Sequence, residues 1–191
     1  MKVRQCALAG ILLIEPETFG DQRGLFRETY ERERYMAVGI AEEFVQDNHS
    51  RSERNVLRGM HFTKRKPQAQ LLTVIRGTIF DVVVDIRPDS ATFGKWIGAE
   101  LAAEGVCQIY MPHGFAHGFC VLSDYADLHY KVSQRYDPDD EAGLRWDDAD
   151  VGIDWPVRAP VISSRDGGHP LLREFTGSDK PAAKGMTSTD R

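Results

Sequence analysis

Leu71-Leu72-Thr73-Val74-Ile75-Arg76-Gly77-Thr78-Ile79-Phe80-Asp81-Val82-Val83-Val84-Asp85-Ile86 is the stretch that decides the fold. Two β-rich apolar runs flank an Arg-Gly break. In the second run Phe80, Val82, Val84 and Ile86 fall on one face, while Asp81 and Asp85 fall on the other. Alternation with a period of two belongs to a strand. The pattern predicts a hairpin that turns at Arg76-Gly77, then a turn at Arg87-Pro88-Asp89-Ser90.

Outward from this stretch the same signals repeat. Short strands are expected at 96–101, 107–111, 117–122 and 126–133, with turn signals about every ten residues. The residues before Glu15-Pro16-Glu17 read as a first strand. One helix is expected at 31–38, stopped by Gly39, and a short helical turn near 147–150. Together these predict an all-β, cupin-like jelly-roll barrel with a few short helices. Thr176 to Arg191 lacks aromatic residues and is rich in small, polar and charged types, so it is expected to be a disordered tail. The folded domain is then 1–175.

Composition narrows the function. The chain has 191 residues, 41% hydrophobic and 28% charged, with a formal net charge of −5. That suits one soluble domain and argues against a general nucleic-acid binder, which should be basic. A basic pocket for a small anion stays open. No apolar run approaches the ~18 residues of a membrane span. The N-terminal apolar run meets Glu15-Pro16-Glu17 with no small-residue cleavage site, against a signal peptide. Cys6, Cys107 and Cys120 are odd in number and widely spaced, which fits a reducing cytoplasm better than a disulfide framework.

The most unusual segment is Tyr110-Met111-Pro112-His113-Gly114-Phe115-Ala116-His117-Gly118-Phe119. Glycines and a proline flank two histidines, as suits a barrel mouth that lets a ligand approach the backbone. Metal binding is the first alternative. His113 and His117 are close in sequence, but no His-x-His occurs, and His61 is followed by Lys64, Arg65 and Lys66, which would repel a cation. No metal is therefore assigned. Arg58 and Lys64 to Lys66 near His61, with Arg23 and Arg27 beside Phe26, suit a phosphate or pyrophosphate instead. For Lys64 to Lys66 alone a solvated loop is the better reading.

Strand parity places Tyr130 with Leu128 and Val132 toward the interior, as a core tyrosine or a proton donor, and turns His129 and Lys131 outward. Arg58 and His61 fall on opposite faces of an ideal strand. They can line one pocket only if Gly59 marks a bulge or bend.

Taken in order, several segments resemble the dTDP-4-dehydrorhamnose 3,5-epimerase family. They are Phe19-Gly20-Asp21-Gln22-Arg23-Gly24-Leu25-Phe26-Arg27-Glu28, Gln46-Asp47-Asn48-His49-Ser50, Leu57-Arg58-Gly59-Met60-His61-Phe62 and Pro112 to Phe119. Tyr130-Lys131, Gly152-Ile153-Asp154-Trp155 and Ser164-Arg165-Asp166 follow. The resemblance implies a cofactor-free, metal-free epimerase of a nucleotide-linked 4-keto-6-deoxyhexose, expected to be dTDP-linked. It implies a homodimer with exchanged N-terminal strands.

By the same resemblance His61 is the base, Asp166 its partner, and Tyr130 the proton donor on the other face of the sugar. Arg23, Phe26 and Glu28 match nucleotide-holding residues contributed by the neighbouring subunit. Gln46, Asn48, Arg58 and His117 match other pocket residues, and Arg165 stands where the family more often has lysine. Gln70 departs from the pattern, because the family usually has a lysine there. The departure leaves open epimerisation at C3, at C5 or at both. An inactive sugar-nucleotide-binding protein and a metal-dependent cupin enzyme remain the alternatives.

Overall fold

The structure, a computed structural model, describes residues 1–175. The tail expected at 176–191 lies outside the described residues. Among the described residues there are thirteen strands, two short α-helices and a final 3₁₀ turn at Leu172–Glu174. The chain begins with β1 (Lys2–Gln5) and β2 (Leu12–Glu15), an antiparallel pair where one strand was expected. Next come β3 (Thr18–Asp21), β4 (Gly24–Arg27), α1 (Arg32–Met36), β5 (Gln46–Glu53) and β6 (Leu57–Thr63). The centre holds β7 (Gln70–Arg76), β8 (Thr78–Asp85), β9 (Trp96–Ala102) and β10 (Gln108–Met111). The last elements are β11 (Phe115–Val121), β12 (Tyr125–Val132), β13 (Glu141–Gly143) and α2 (Ser164–Gly167).

The strands form two antiparallel sheets. One has the order β1-β2-β10-β7-β12-β5 and the other β13-β6-β11-β8-β9. The β3–β4 ribbon stands apart as a two-stranded sheet. This is a cupin-like jelly roll whose two sheets are not joined into a closed barrel.

The stretch 71–86 is not a hairpin. β7 pairs with β10 and β12, whereas β8 pairs with β11 and β9. The chain changes sheet at Gly77, whose φ is 81° and whose missing Cβ would lie 2.2 Å from the Tyr125 carbonyl oxygen. The physical reason is burial. Leu72 and Val74 of β7 pack in the same core as Ile79 and Val83 of β8, so the two runs stack across the interior instead of pairing edge to edge.

The other face of β8 is buried as well. Val82, Val84 and Ile86 pack with Met60 and Phe62 under Leu144, Val151 and Trp155 of the C-terminal segment. The apolar face read from the sequence is therefore the outer one, and Ile79, Asp81 and Val83 face inward. On the outside of the other sheet, Tyr35 and Ile40 cover Leu12, Ile14, Leu71 and Tyr110. Each fully buried aliphatic side chain contributes about 1.5–3 kcal/mol.

The helix expected at 31–38 is α1 with its closing turn. The Glu31 carboxylate accepts from the Glu33 and Arg34 amides, and Gly39 at φ 96° ends the turn. Residues 147–150 form turns rather than a helix, closed by the Gly152 amide donating to the Asp148 carbonyl at 2.9 Å. The late helix is α2, capped by Ser163, whose hydroxyl accepts from the Asp166 amide at 3.0 Å.

Candidate active site

A cavity of about 420 Å³ opens between the two sheets. β5 supplies Gln46, Asn48 and Ser50 on alternate positions, and β12 supplies Tyr130. From the opposing sheet come Arg58, His61 and His117 on β6 and β11.

Arg58 and His61 do share the cavity, and Gly59 is the reason. Along the β6–β11 ladder His61 faces His117 while Arg58 faces Phe119, so β6 carries one more residue than its partner over this span. Gly59 has φ 127°, and a Cβ there would sit 2.6 Å from the Gly118 Cα. Only glycine fits this bulge.

The His61 Nε2 lies 2.9 Å from Asp166 Oδ1. Residues so distant in sequence meet because the C-terminal segment returns along β6. Val161 bridges Val56, and the Leu57 amide donates to the Val161 carbonyl at 2.9 Å. That crossing sets α2 against β6. The Gly59 amide also donates to Asp166 Oδ2 at 3.3 Å. Burial pushes the Asp166 carboxyl up, but the His61 hydrogen bond and charge, with the Gly59 amide, outweigh it and hold the group below its ordinary value. Asp166 is thus an ionised acceptor that fixes the His61 ring and leaves Nδ1 to take a proton.

A second pair lies beside the first. His117 Nε2 is 2.8 Å from Asp81 Oδ2, and Asp81 is fully buried with Oδ1 unpartnered. Across the cavity Tyr130 is half-buried, at the inward parity expected. Burial raises its phenol above the ordinary value, with Arg58 opposing, so it stays protonated through neutral pH. His129 points away, toward Asp47, as expected.

The polar walls are braced. Arg58 Nε donates to Ser52 Oγ at 2.8 Å, and Gln46 Nε2 donates to Asn48 Oδ1 at 2.8 Å. Arg165 pairs with Glu141 at 2.7 Å. Gln70 lines the cavity, and its Nε2 donates to Gln68 Oε1 at 3.1 Å. The cationic run near His61 is structural. Arg65 and Lys66 bind Asp140 through their amides, and Lys66 Nζ reaches Asp137 at 2.7 Å. Among the described residues, Arg58 and Arg165 are the arginines of the wall, and no lysine belongs to it.

A profile of the dTDP-4-dehydrorhamnose 3,5-epimerase family matches residues 5–174. The chain belongs to this family of isomerases. It is 46% identical over 171 residues to the dTDP-4-dehydrorhamnose 3,5-epimerase of Methanothermobacter thermautotrophicus, covering 88% of this chain and 92% of that one. The dTDP-6-deoxy-D-glucose-3,5-epimerase of Legionella pneumophila, solved in complex with dTDP-4-keto-L-rhamnose, superposes with a TM-score of 0.92 at 39% identity. That match covers 96% of this chain and 99% of the other. The dTDP-4-dehydrorhamnose 3-epimerase of Streptomyces niveus is 41% identical over 176 residues, covering 91% of this chain and 85% of that one.

Not every family-matched residue reaches the cavity within one protomer. Arg23 and Phe26 lie on the β3–β4 ribbon, away from it, with Phe19, Leu25 and Phe26 exposed at 57%, 63% and 68%. Arg23 pairs with Asp21, and Glu28 with Arg34. His113 lines a separate hollow beside Glu42 and so does not join His117.

The sequence reading missed Asp81, Ser50, Glu141 and His169. Ser50 shares the parity of Gln46 and Asn48 and was legible. Asp81 was visible as a carboxylate on a strand face. His169 carried no signal beyond its place three residues after Asp166. Among the described residues His61, Asp166 and His169 form a group of metal-ligating types, with ligand atoms within 4.8 Å of one another.

Proposed function

We propose that this protein epimerises a dTDP-linked 4-keto-6-deoxyhexose next to its ketone, through an enolate. The observation that carries the reading is His61 on one sheet, held from behind by Asp166 of α2, facing Tyr130 on the other sheet across a single cavity. A proton next to a ketone becomes acidic because the enolate spreads charge onto the carbonyl oxygen. Inversion needs a base on one face of the sugar and an acid on the other. His61, oriented by ionised Asp166, takes the proton. Tyr130, kept protonated by burial, returns one from the opposite wall. Arg58 and Gln70 are the wall donors available to the enolate oxygen and the phosphates. Gln46, Asn48, His117 and Arg165 complete the binding surface.

The exposed ribbon belongs to the same proposal. Phe19, Leu25 and Phe26 project three apolar side chains into solvent, beside Arg23. In a homodimer that exchanges N-terminal strands, this ribbon supplies Arg23, Phe26 and Glu28 to the nucleotide of the partner. Light scattering of the Phe26→Ala variant tests it, with weaker dimerisation and weaker dTDP binding expected together.

A second reading is favoured by Gln70. Among the described residues no lysine lies in the wall, and the 3-epimerase of Streptomyces niveus is among the relatives. A neutral donor hydrogen-bonds about half as strongly as a charged one, so slower exchange is expected, with the less acidic carbon falling below detection first. The deciding experiment is proton NMR of dTDP-4-keto-6-deoxyglucose in deuterium oxide, with a no-enzyme control. Exchange at C3 and C5 supports the 3,5-epimerase. Exchange at one carbon supports the second reading. Exchange at neither, with dTDP still bound, points to a sugar-nucleotide-binding protein.

A further inference from the structure

The His169 ring lies against the catalytic pair, and the proposed mechanism gives it no task. Its Nε2 is buried and has no hydrogen-bond partner. That nitrogen stands 3.7 Å from Asp166 Oδ1, and the His169 ring meets the His61 ring edge-on at 5.8 Å between centroids. The position is made by Gly143, the cross-strand neighbour of His61. A Cβ on Gly143 would come within 2.3 Å of the His169 ring. The missing side chain is thus the space that the imidazole fills.

A buried ring nitrogen without a partner is costly unless something binds it. From this juxtaposition we propose that His61, Asp166 and His169 form an inhibitory site for a divalent transition metal such as zinc. Two imidazole nitrogens and one carboxylate oxygen are the donor set of an open zinc site with a fourth position for water. His61 Nε2 and His169 Nε2 approach the same oxygen, Asp166 Oδ1, at 2.9 and 3.7 Å. Closing on a tetrahedral ion needs only small ring movements from there.

The surrounding charge suits a cation. Asp166 and Glu141 face the site with two negative charges, and Arg165, paired with Glu141, supplies one positive charge. Glu141 Oε2 is also buried and unpartnered. Metal binding takes His61 Nε2, so the single proton of the neutral ring moves from Nε2 to Nδ1, the nitrogen that otherwise accepts the substrate proton. The ring is then held by the metal and no longer serves as the base. The metal is an antagonist of the reaction, and turnover does not require it.

This inference rests on the proposed role of His61 for its effect on activity, though not for binding. The test therefore reads both. Cobalt(II) is titrated into the full-length protein and its visible absorption followed. Separately, zinc inhibition of substrate proton exchange is measured, then reversed with a chelator. The expected results are the intense bands of low-coordinate cobalt at one equivalent, and zinc inhibition that EDTA relieves. His169→Gln and His169→Ala should each weaken cobalt binding at least about tenfold and relieve zinc inhibition. Thermal melts confirm that both variants fold.

Absence of cobalt bands from the wild type overturns the site. So does unchanged metal affinity in folded His169 variants. Cobalt binding that depends on His169, in a protein whose turnover zinc does not affect, would uphold the site and overturn its inhibitory role. If no substrate exchange is seen at all, the cobalt titration still decides the site.

Discussion

His61 and His117 stand directly opposite each other in the β6–β11 ladder, and each holds its own aspartate through Nε2. The two pairs differ in openness. The His61 side chain is 31% exposed and that of His117 is 12% exposed. Asp81, behind His117, is fully buried. A general base must reach its proton, so the more open ring is the one suited to the work. His117 is a rigid neighbour that shapes the wall.

Asp166→Asn should lower substrate proton exchange by about 10²–10⁴-fold. Asp166 stands behind His61 and not in the cavity wall, so dTDP affinity by calorimetry should stay unchanged. Exchange at the wild-type rate would remove Asp166 from the mechanism.

Tyr130→Phe should slow reprotonation at one carbon more than the first exchange step. Deuterium incorporation at C3 and C5, followed separately, reports this. The raised phenol value also has a sign. Burial holds the Tyr130 phenol above its ordinary value, so it keeps its proton and no alkaline loss of activity from this group is expected between pH 7 and 9. A variant that matches the wild type at both carbons would make Tyr130 a core residue only.

Gly59→Ala tests the bulge. The substitution puts a Cβ 2.6 Å from the Gly118 Cα at a backbone φ of 127°. A loss of about 2 kcal/mol or more is expected, read from the urea midpoint. Any folded fraction should bind substrate poorly, because Arg58 and His61 then lose their common side.

Asp85 sets an acid limit on stability. Its carboxylate is fully buried and accepts from Arg87 Nη2, Ser90 Oγ and Thr92 Oγ1, each at 2.6 Å. Burial alone would raise the carboxyl, but these donors outweigh it and hold the value at about 2. The unfolded value is about 3.9. The contribution is therefore fully present above that value and lost as pH falls toward 2. Asp85→Asn should lower the melting temperature at pH 7, and the gap to wild type should close near pH 2. A gap that does not change with pH would show that the carboxylate charge is not what stabilises the loop.

Much of this protein is legible in the chain itself. Alternation identified the strand later seen as β8, and apolar runs spaced by turn signals located β7, β9, β10, β11 and β12, because a strand's local pattern shows whatever its partner. The same parity placed Tyr130 inward and His129 outward. The clash of parity between Arg58 and His61 pointed to a bulge at Gly59, because only glycine relieves it. Strand pairing was another matter. The apolar runs on either side of Gly77 look like a hairpin, yet they enter different sheets, since local pattern records which face is buried and not by what.

The site divides in the same way. Residue type and order pointed to His61, Asp166 and Tyr130 as a set through resemblance, but their spacing alone carries no geometry. The return of the C-terminal segment along Val56 and Leu57 brings Asp166 to His61. Gly143, by lacking a side chain, brings His169 beside them. Contacts across a hundred residues depend on the closed path of the whole backbone, so only the tertiary structure decided them. The sequence by itself determined most of the central strands, the inward parity of Tyr130 and the one glycine that bends β6, because these depend on local pattern alone.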